Sequence, residues 1–390
     1  MSVYRQFGIE PIINAAGTLT RLGGAILPDP VINAMHQAAH DAVPIEDLQA
    51  AASRVIARET ATEAGLVTSG ASAGLTLATA AILAGNDLGR IEKLPDTASM
   101  PHEFLIARDQ RNGYDHAVRA AGAKLVEVGL NEVVAGSGVR PVEIWEYDAA
   151  CMDGTAGVLY VYRDGSQPVL REVVEWAHSR NLPVLVDAAA ELYPRSNLRD
   201  IPATGADLVA FSGGKAIRGP QSSSILCGRR DLIESAAMQM LDMDERRVLW
   251  NPPRDFIDPD RWPNLPRQGI GRGFKVGKEQ IVGLLVALEL FVNGSQDDEF
   301  ALLESRIEKI KSSLGHGSLV RGEATHPPLL TLKTPNNDPI EVARSLRLGT
   351  PAVYVRIHSE GIAIDLSTVR KEQDSRLIER LEETFRSISD

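Results

Sequence analysis

Between residues 104 and 235 the chain alternates short apolar runs with amphipathic stretches, and this pattern constrains the fold more than any other feature. The runs at 104–107, 124–128, 158–162, 183–186, 208–211 and 224–226 have the length of strands. Between them, 114–121 and 169–179 show helical spacing. Strands that alternate with helices imply βαβ units and a mostly parallel sheet whose faces are covered.

The rest of the 390 residues leaves room for a second domain. Residues 9–26 are rich in Gly and Thr without a helical period and read as an extended arm. In 46–63, Leu48, Ala51, Val55 and Ile56 predict an amphipathic helix. The small-residue segment 68–85 reads as a turn that opens a buried helix. Residues 242–275 hold Pro252, Pro253, Pro259, Pro263 and Pro266 with Trp250 and Trp262, which predicts a long irregular connection. An apolar helix is expected over 276–292, followed by a smaller α+β domain with strands at 329–332, 353–358 and 361–366 and a charged helix near 370–387. The expected division is an arm over 1–26, a large domain over 27–270 and a remainder over 271–390.

Composition narrows the function. Lys and Arg number 41 against 52 Asp and Glu, a net charge of −11 with no dense basic run, which argues against a nucleic-acid backbone as partner. No apolar run approaches the roughly 20 residues of a membrane span, and MSVYRQFG lacks a secretory pattern. Two cysteines, Cys151 and Cys227, make neither a disulfide framework nor a zinc knuckle, so a cytoplasmic setting is expected. His36 and His40 share a helix face but lack a third ligand, so no metal is expected. Neither a G-x-S-x-G elbow nor a phosphate-binding G-x-x-x-x-G-K-[ST] loop occurs.

Three segments could carry chemistry. In DLVAFSGGKAIRGPQSSS (207–224), Lys215 sits on a glycine-rich turn between apolar strands. A lysine partly desolvated there has a lowered pKa and a nucleophilic neutral amine; the alternative is a solvated loop lysine. The run 183–186 ends in Asp187, at the strand end where α/β sheets bind ligands. That carboxylate could pair with a protonated pyridine nitrogen, or simply cap the next helix. In TSGASAG (68–74), hydroxyls and glycines at a helix start suit a phosphate, though such starts are also common caps.

The order of phosphate turn, strand-end Asp and Gly-flanked Lys resembles the fold type I pyridoxal-phosphate enzymes, which have the aspartate-aminotransferase fold. More narrowly the chain resembles the selenocysteine synthase (L-seryl-tRNA selenium transferase) branch and its smaller relatives, the glucosaminate ammonia-lyase group among them. The resemblance is carried by INAAGTLTRLGG (13–24), TSGASAGL (68–75), ARDQRNGYDHAVRAAGAKLVEVG (107–129), LVDAAAEL (185–192), FSGGKAIRGPQSS (211–223) and GIGRGFKVGKEQIVGLLVALE (269–289). It implies an α/β three-layer sandwich with a smaller C-terminal α+β domain, and pyridoxal 5'-phosphate as cofactor. It implies that Lys215 holds the cofactor covalently, that Asp187 meets the pyridine nitrogen, and that Ser69, Gly70, Ala71, Ser72 and Ser212 lie near the phosphate. It further implies a side chain over the cofactor ring from 108–116, with Arg108, Gln110 and His116 as candidates. Asn14 and Thr18 would line the site, and Arg272 or Arg356 would meet a substrate anion or form a surface ion pair instead.

The family's selenium transferases hold a tRNA with an extra N-terminal domain. This sequence begins almost at the arm and is acidic, so a small-molecule substrate is expected. The expected reaction is β-elimination from a hydroxylated amino acid or amino-sugar acid, yielding a 2-oxo acid and ammonia. Racemisation is the alternative within the fold, and a non-catalytic cofactor-binding protein the alternative outside it. Arg218, Arg246, Arg247, Arg267, Arg272 and Lys275 lie in segments that could border an anionic substrate. A homodimer or larger homo-oligomer is expected, with the arm and the 242–275 segment at the interface.

Overall fold

The computed structural model describes residues 2–130, 141–166, 168–315, 317–320, 326–334 and 338–389. The chain divides into two units, one of residues 29–290 and one of residues 1–28 with 291–390. The division falls after Leu290, later than the 270/271 boundary expected from the sequence, and the arm belongs with the C-terminal residues.

The smaller unit begins with β1 (Ile13–Ala15). The larger follows with α1 (Asp29–His40), α2 (Ile45–Thr60), β2 (Ala64–Thr68), α3 (Ala71–Ala84), α4 (Leu88–Lys93), β3 (Glu103–Ala107), α5 (Asp115–Ala120) and β4 (Lys124–Val128). It continues with α6 (Ile144–Ala150), β5 (Thr155–Val161), α7 (Leu170–Ser179), β6 (Val184–Asp187), α8 (Asn197–Asp200), β7 (Leu208–Ser212), β8 (Ser224–Gly228), α9 (Arg230–Met240) and α10 (Lys278–Asn293), the last turn of which passes into the smaller unit. Its seven-stranded sheet runs β2-β8-β7-β6-β5-β3-β4. The pairs among β3, β4, β5, β6 and β7 are parallel, whereas β8 is antiparallel to both β7 and β2.

The central strands are largely apolar because helices cover them, whereas the edge strand β4 keeps Lys124 and Glu127 exposed. All four residues of β6 and all five of β2 are buried. Helix α3 is built almost wholly of small apolar residues and is buried on nearly every side from Ala73 to Ala84, as a helix without a polar stripe must be. It packs against α5 and α9, while α2 packs on β2 and β8 and α7 packs on β5, which gives the helix–sheet–helix layering.

The expected strands and helices from 104 to 235 all form. The 242–275 segment is irregular as expected, with short 3₁₀ turns at Pro259–Arg261 and Ile270–Phe274. It is anchored by Glu234 of α9, only 2% exposed, which accepts from the Trp262 indole at 2.7 Å, the Asp258 amide at 3.1 Å and the Arg261 guanidinium at 2.7 Å.

In the smaller unit α11 (Gln296–Leu314), β9 (Ser318–Val320), β10 (Leu329–Lys333), α12 (Pro339–Leu348), β11 (Val353–His358), β12 (Gly361–Ile364) and α13 (Asp374–Ser389) follow in order. The five-stranded sheet is β1-β11-β12-β10-β9, with β1 parallel to β11 and the other pairs antiparallel. Ile13 and Ala15 join Leu303, Ile307, Leu332, Val355 and Leu377 in one core, so the arm is a structural strand of this unit. Among the described residues no helix is long and apolar enough to cross a membrane.

Candidate active site

The parallel strands β3, β5, β6 and β7 end together, and the pairing through β8 brings the end of β2 to the same edge of the sheet. Register makes this explicit: Val161 of β5 lies beside Asp187, Asp187 beside Ala210 of β7, and Ser212 and Thr68 both face Ser224. Asp187, Lys215, the 69–72 turn and Gln110 therefore gather at one edge of the larger unit. Such an edge is where open α/β sheets take their ligands.

Lys215 projects from the turn that reverses the chain between β7 and β8. The Gly213 amide donates to the Ser223 carbonyl at 3.0 Å and the Gly219 amide to the Gly213 carbonyl at 2.8 Å, closing a compact loop. A side chain at Gly214 would put a Cβ 2.7 Å from the Gln221 Cα, so only glycine lets the two arms of the loop approach. Burial drives the Lys215 pKa down, opposed by the charges of Asp187 and Glu191. Burial likewise raises the pKa of Asp187, opposed by a 3.1 Å hydrogen bond from the Ala189 amide and by the charge of Lys215. Both shifts follow from desolvation of the charged form.

The turn before α3 has the chemistry of an anion site. Gly70 adopts φ 135°, in the region that favours glycine, and makes no side-chain cap. The first helical hydrogen bond runs from the Gly74 amide to the Gly70 carbonyl, so the amides of Ala71, Ser72 and Ala73 have no acceptor within the helix. A Cβ at Gly70 would meet nothing within 4 Å, so there is open space at the helix start. The hydroxyls of Thr68 and Ser224 meet at 2.8 Å behind the turn, and Thr68 also donates to the Gly70 carbonyl at 3.0 Å.

Gln110, just past β3, is 1% exposed. Its Oε1 accepts from the Val161 amide at 3.0 Å, while its Nε2 is buried without a hydrogen-bond partner. A buried amide left half satisfied calls for a ligand or a water. Arg108 and His116 are exposed and otherwise engaged: Arg108 pairs with Glu127 at 2.9 Å, and the His116 Nδ1 lies 3.1 Å from the Arg119 guanidinium. Arg272 pairs with Asp242 at 2.6 Å. His36 and His40 pack ring against ring with centroids 5.0 Å apart.

The remaining expected residues lie in the smaller unit. Asn14 brackets its own turn, donating to the Gly17 carbonyl at 3.0 Å and accepting from the Ala16 amide at 3.1 Å, and Thr18 is half-buried. Arg356 donates to the Ala16 carbonyl at 3.0 Å and pairs with buried Asp365 at 2.6 Å. The sequence includes Thr68 in the candidate anion turn but gives no sign of its pairing with Ser224, and the expected roles leave out Glu191. The hydroxyl pair joins residues 156 apart and has no local signal, whereas Glu191 follows Asp187 closely enough to have been read with it.

A desolvated lysine, a buried carboxylate and an uncapped helix start at one edge of an α/β sheet are groups that suit a phosphorylated carbonyl compound. Comparison with known proteins points the same way. Residues 163–244, which include Asp187 and Lys215, match the family model described as aminotransferase class-V. The chain is 30% identical over 403 residues to a 5'-C-glycyluridine monooxygenase-decarboxylase from a Streptomyces species, covering 97% of this chain and 91% of that one. It is 28% identical over 406 residues to the D-glucosaminate-6-phosphate ammonia lyase of Salmonella typhimurium, covering 100% and 99%. A solved structure of such an ammonia-lyase superposes over the full length of both chains with a TM-score of 0.82. The L-seryl-tRNA(Sec) selenium transferase of Aquifex aeolicus is 24% identical, covering 96% of this chain and 84% of the relative.

The chain belongs to the selenocysteine synthase-like branch of the fold type I pyridoxal-phosphate enzymes. Its cofactor is pyridoxal 5'-phosphate, and the residues present fit that group. The open, uncapped start of α3 suits the phosphate, the buried Asp187 the pyridine nitrogen, and the desolvated Lys215 the aldehyde.

Proposed function

We propose that this protein is a lyase that removes a β-hydroxyl and the amino group from a small hydroxylated amino acid or amino-sugar acid, giving a 2-oxo acid and ammonia. The reading rests on full-length likeness to an ammonia-lyase combined with a lysine held by burial toward its neutral form. Pyridoxal phosphate supplies the electron sink that makes the substrate's α C–H bond acidic. Asp187, a carboxylate at the strand end, holds a positive charge on the ring nitrogen. The amides of 71–73 with Ser69, Ser72 and Ser212 fix the phosphate. Lys215 takes the α proton, a task that burial favours by lowering the amine's pKa from its ordinary value. Gln110 is the residue of the 108–116 stretch assigned to the cofactor, because its Nε2 alone is buried and unpaired. For the substrate, Asn14, Thr18, Arg108, His116, Arg272 and Arg356 are the proposed contacts, with the three arginines exchanging their carboxylate partners for a substrate anion. The setting proposed is the cytoplasm, supported by two free cysteines, and the working form a homo-oligomer.

A second reading comes from the 30%-identical relative, a monooxygenase-decarboxylase. The deciding experiment supplies the holoenzyme with D- and L-3-hydroxy amino acids and amino-sugar acids. Ammonia and 2-oxo acid in equal amounts, without oxygen uptake, support the lyase. Oxygen consumption with carbon dioxide release supports the second reading, and loss of chirality without net product supports a racemase.

A further inference from the structure

The smaller unit carries a basic, partly apolar groove. Helix α12 and strand β11 border a space of about 350 Å³ lined by Ile340, Ala343, Arg344, Arg347, Leu348 and Ile357. That volume lies at the lower end of the roughly 300–1,000 Å³ of small-molecule sites. Three of its apolar side chains stand well out of the core: Ile340 is 59% exposed, Leu348 80% and Ile357 45%. Together they make a contiguous apolar lining rather than scattered exposed residues, and such linings mark interaction sites.

The charge at this groove is the opposite of the molecule's. Arg347 has its guanidinium carbon 4.9 Å from the centre of the Tyr354 ring, and Arg21 lies 5.7 Å from the same centre. Among the described residues neither arginine forms an ion pair with a carboxylate, and the Arg347 Nε is buried without a hydrogen-bond partner. Two guanidiniums on one ring repel each other, and the ring's quadrupole offsets only part of that cost. A guanidinium laid over an aromatic face keeps its N–H edge free for an oxyanion. Arg344 also lines the groove, but Glu341 at 3.4 Å on the exposed helix face offsets its charge, so Arg347 is the cation left for a ligand. In a chain of net charge −11, an arginine without a carboxylate partner beside an apolar trough stands apart.

We propose that the groove between α12 and β11 is a second ligand site for a small amphipathic organic anion, its apolar body against Ile340, Leu348 and Ile357 and its carboxylate or other oxyanion on Arg347. The groove is built from residues of the smaller unit alone and does not rest on the reaction proposed above. Arg21 reinforces it through Tyr354, and neither the apolar lining nor the cation suffices alone.

The test titrates the full-length holoenzyme with octanoate, octanol and inorganic phosphate by calorimetry. Octanoate is expected to bind at one site per chain, with octanol and phosphate each weaker by about tenfold or more, since losing a buried charge partner costs a few kcal/mol and 1.4 kcal/mol is tenfold. Arg347→Met keeps the apolar stem and should weaken octanoate by about the same factor. Leu348→Asp should abolish binding. Cofactor absorbance and melting temperature, measured on both variants, establish that they are folded. Equal affinity for octanoate and phosphate, or octanoate binding that survives Arg347→Met in a folded protein, overturns the proposal. So does a Leu348→Asp variant that breaks an oligomer into monomers while the parent binds no octanoate, because the groove then belongs to a second copy.

Discussion

At the residue scale, burial pushes Lys215 and Asp187 alike toward their neutral forms. Desolvation lowers the lysine from its ordinary 10.5 and raises the carboxylate from its ordinary 3.8. For Lys215 in the cofactor-free protein, the unfolded chain binds its proton more tightly than the folded one. The cost of the buried charge is present in full below the lowered native value, and stability rises as pH climbs from there toward 10.5. A Lys215→Met variant should lose that rise and melt higher than the parent near neutrality, a comparison read from melting temperature against pH. The sign reverses for Asp187. The folded state holds its proton more tightly, so stability falls as pH rises from 3.8 through the raised native value. Asp187→Asn should weaken cofactor binding by about tenfold or more, the usual scale for removing one partner of a buried charged pair, as measured by absorbance titration. Undiminished affinity there would remove Asp187 from the ring nitrogen. These two residues were legible in the sequence because each sits beside a local marker, a glycine pair and a strand end. The fates of Arg108, Arg272 and Arg356 were not, because their partners Glu127, Asp242 and Asp365 are set by folding.

At the scale of elements, the site depends on turns rather than on helices or strands as such. Gly70 occupies a backbone region costly to other residues, yet a Cβ there would strike nothing. Gly70→Ala therefore isolates backbone strain, and a loss of about 1–3 kcal/mol in stability is expected, with weaker cofactor binding as the helix start shifts. Chemical denaturation and absorbance titration measure the two effects. Gly214→Ala is a different case, since its Cβ would press on the Gln221 backbone and the lysine loop must move. The 242–275 segment offers a third case. Glu234→Ala removes the acceptor shared by Trp262, Arg261 and the Asp258 amide, and limited proteolysis should then cut within the segment faster than in the parent. Equal cleavage rates would mean that the segment is held by its apolar contacts alone. The helical and strand spacings between 104 and 235 were read correctly because periodicity is local. Strand β2, the helices α11 and α12, and the antiparallel setting of β8 carry no such signal. In β2 a five-residue buried run shows no alternation to distinguish it from the end of α2.

At the scale of the whole molecule, the chain builds each unit from its own sheet and core, and the smaller one needs both ends of the sequence. Ile13 is 2% exposed and packs in the core of a unit whose other strands lie more than 300 residues later. Ile13→Ala should destabilise that unit by about 2–5 kcal/mol, the range for emptying a core position, visible as an earlier transition in denaturant. The acidic charge of −11 excluded nothing structurally, but it makes the arginines around Tyr354 and α12 a local exception worth testing for a ligand.

By itself the sequence determined the strands between 104 and 228, that the large sheet is mostly parallel, and the order in which the anion turn, the acid and the lysine follow one another. All of these are properties of short windows, governed by side-chain period, glycine and chain direction. Only the tertiary structure decided that these turns meet at one edge of the sheet and that the arm is a strand of the smaller unit. The tertiary structure also decided that Gln110 keeps a free buried donor while the neighbouring arginine and histidine are engaged. Strand pairing, burial and ion-pair partners join residues far apart in the chain, and no local pattern encodes which of them will meet.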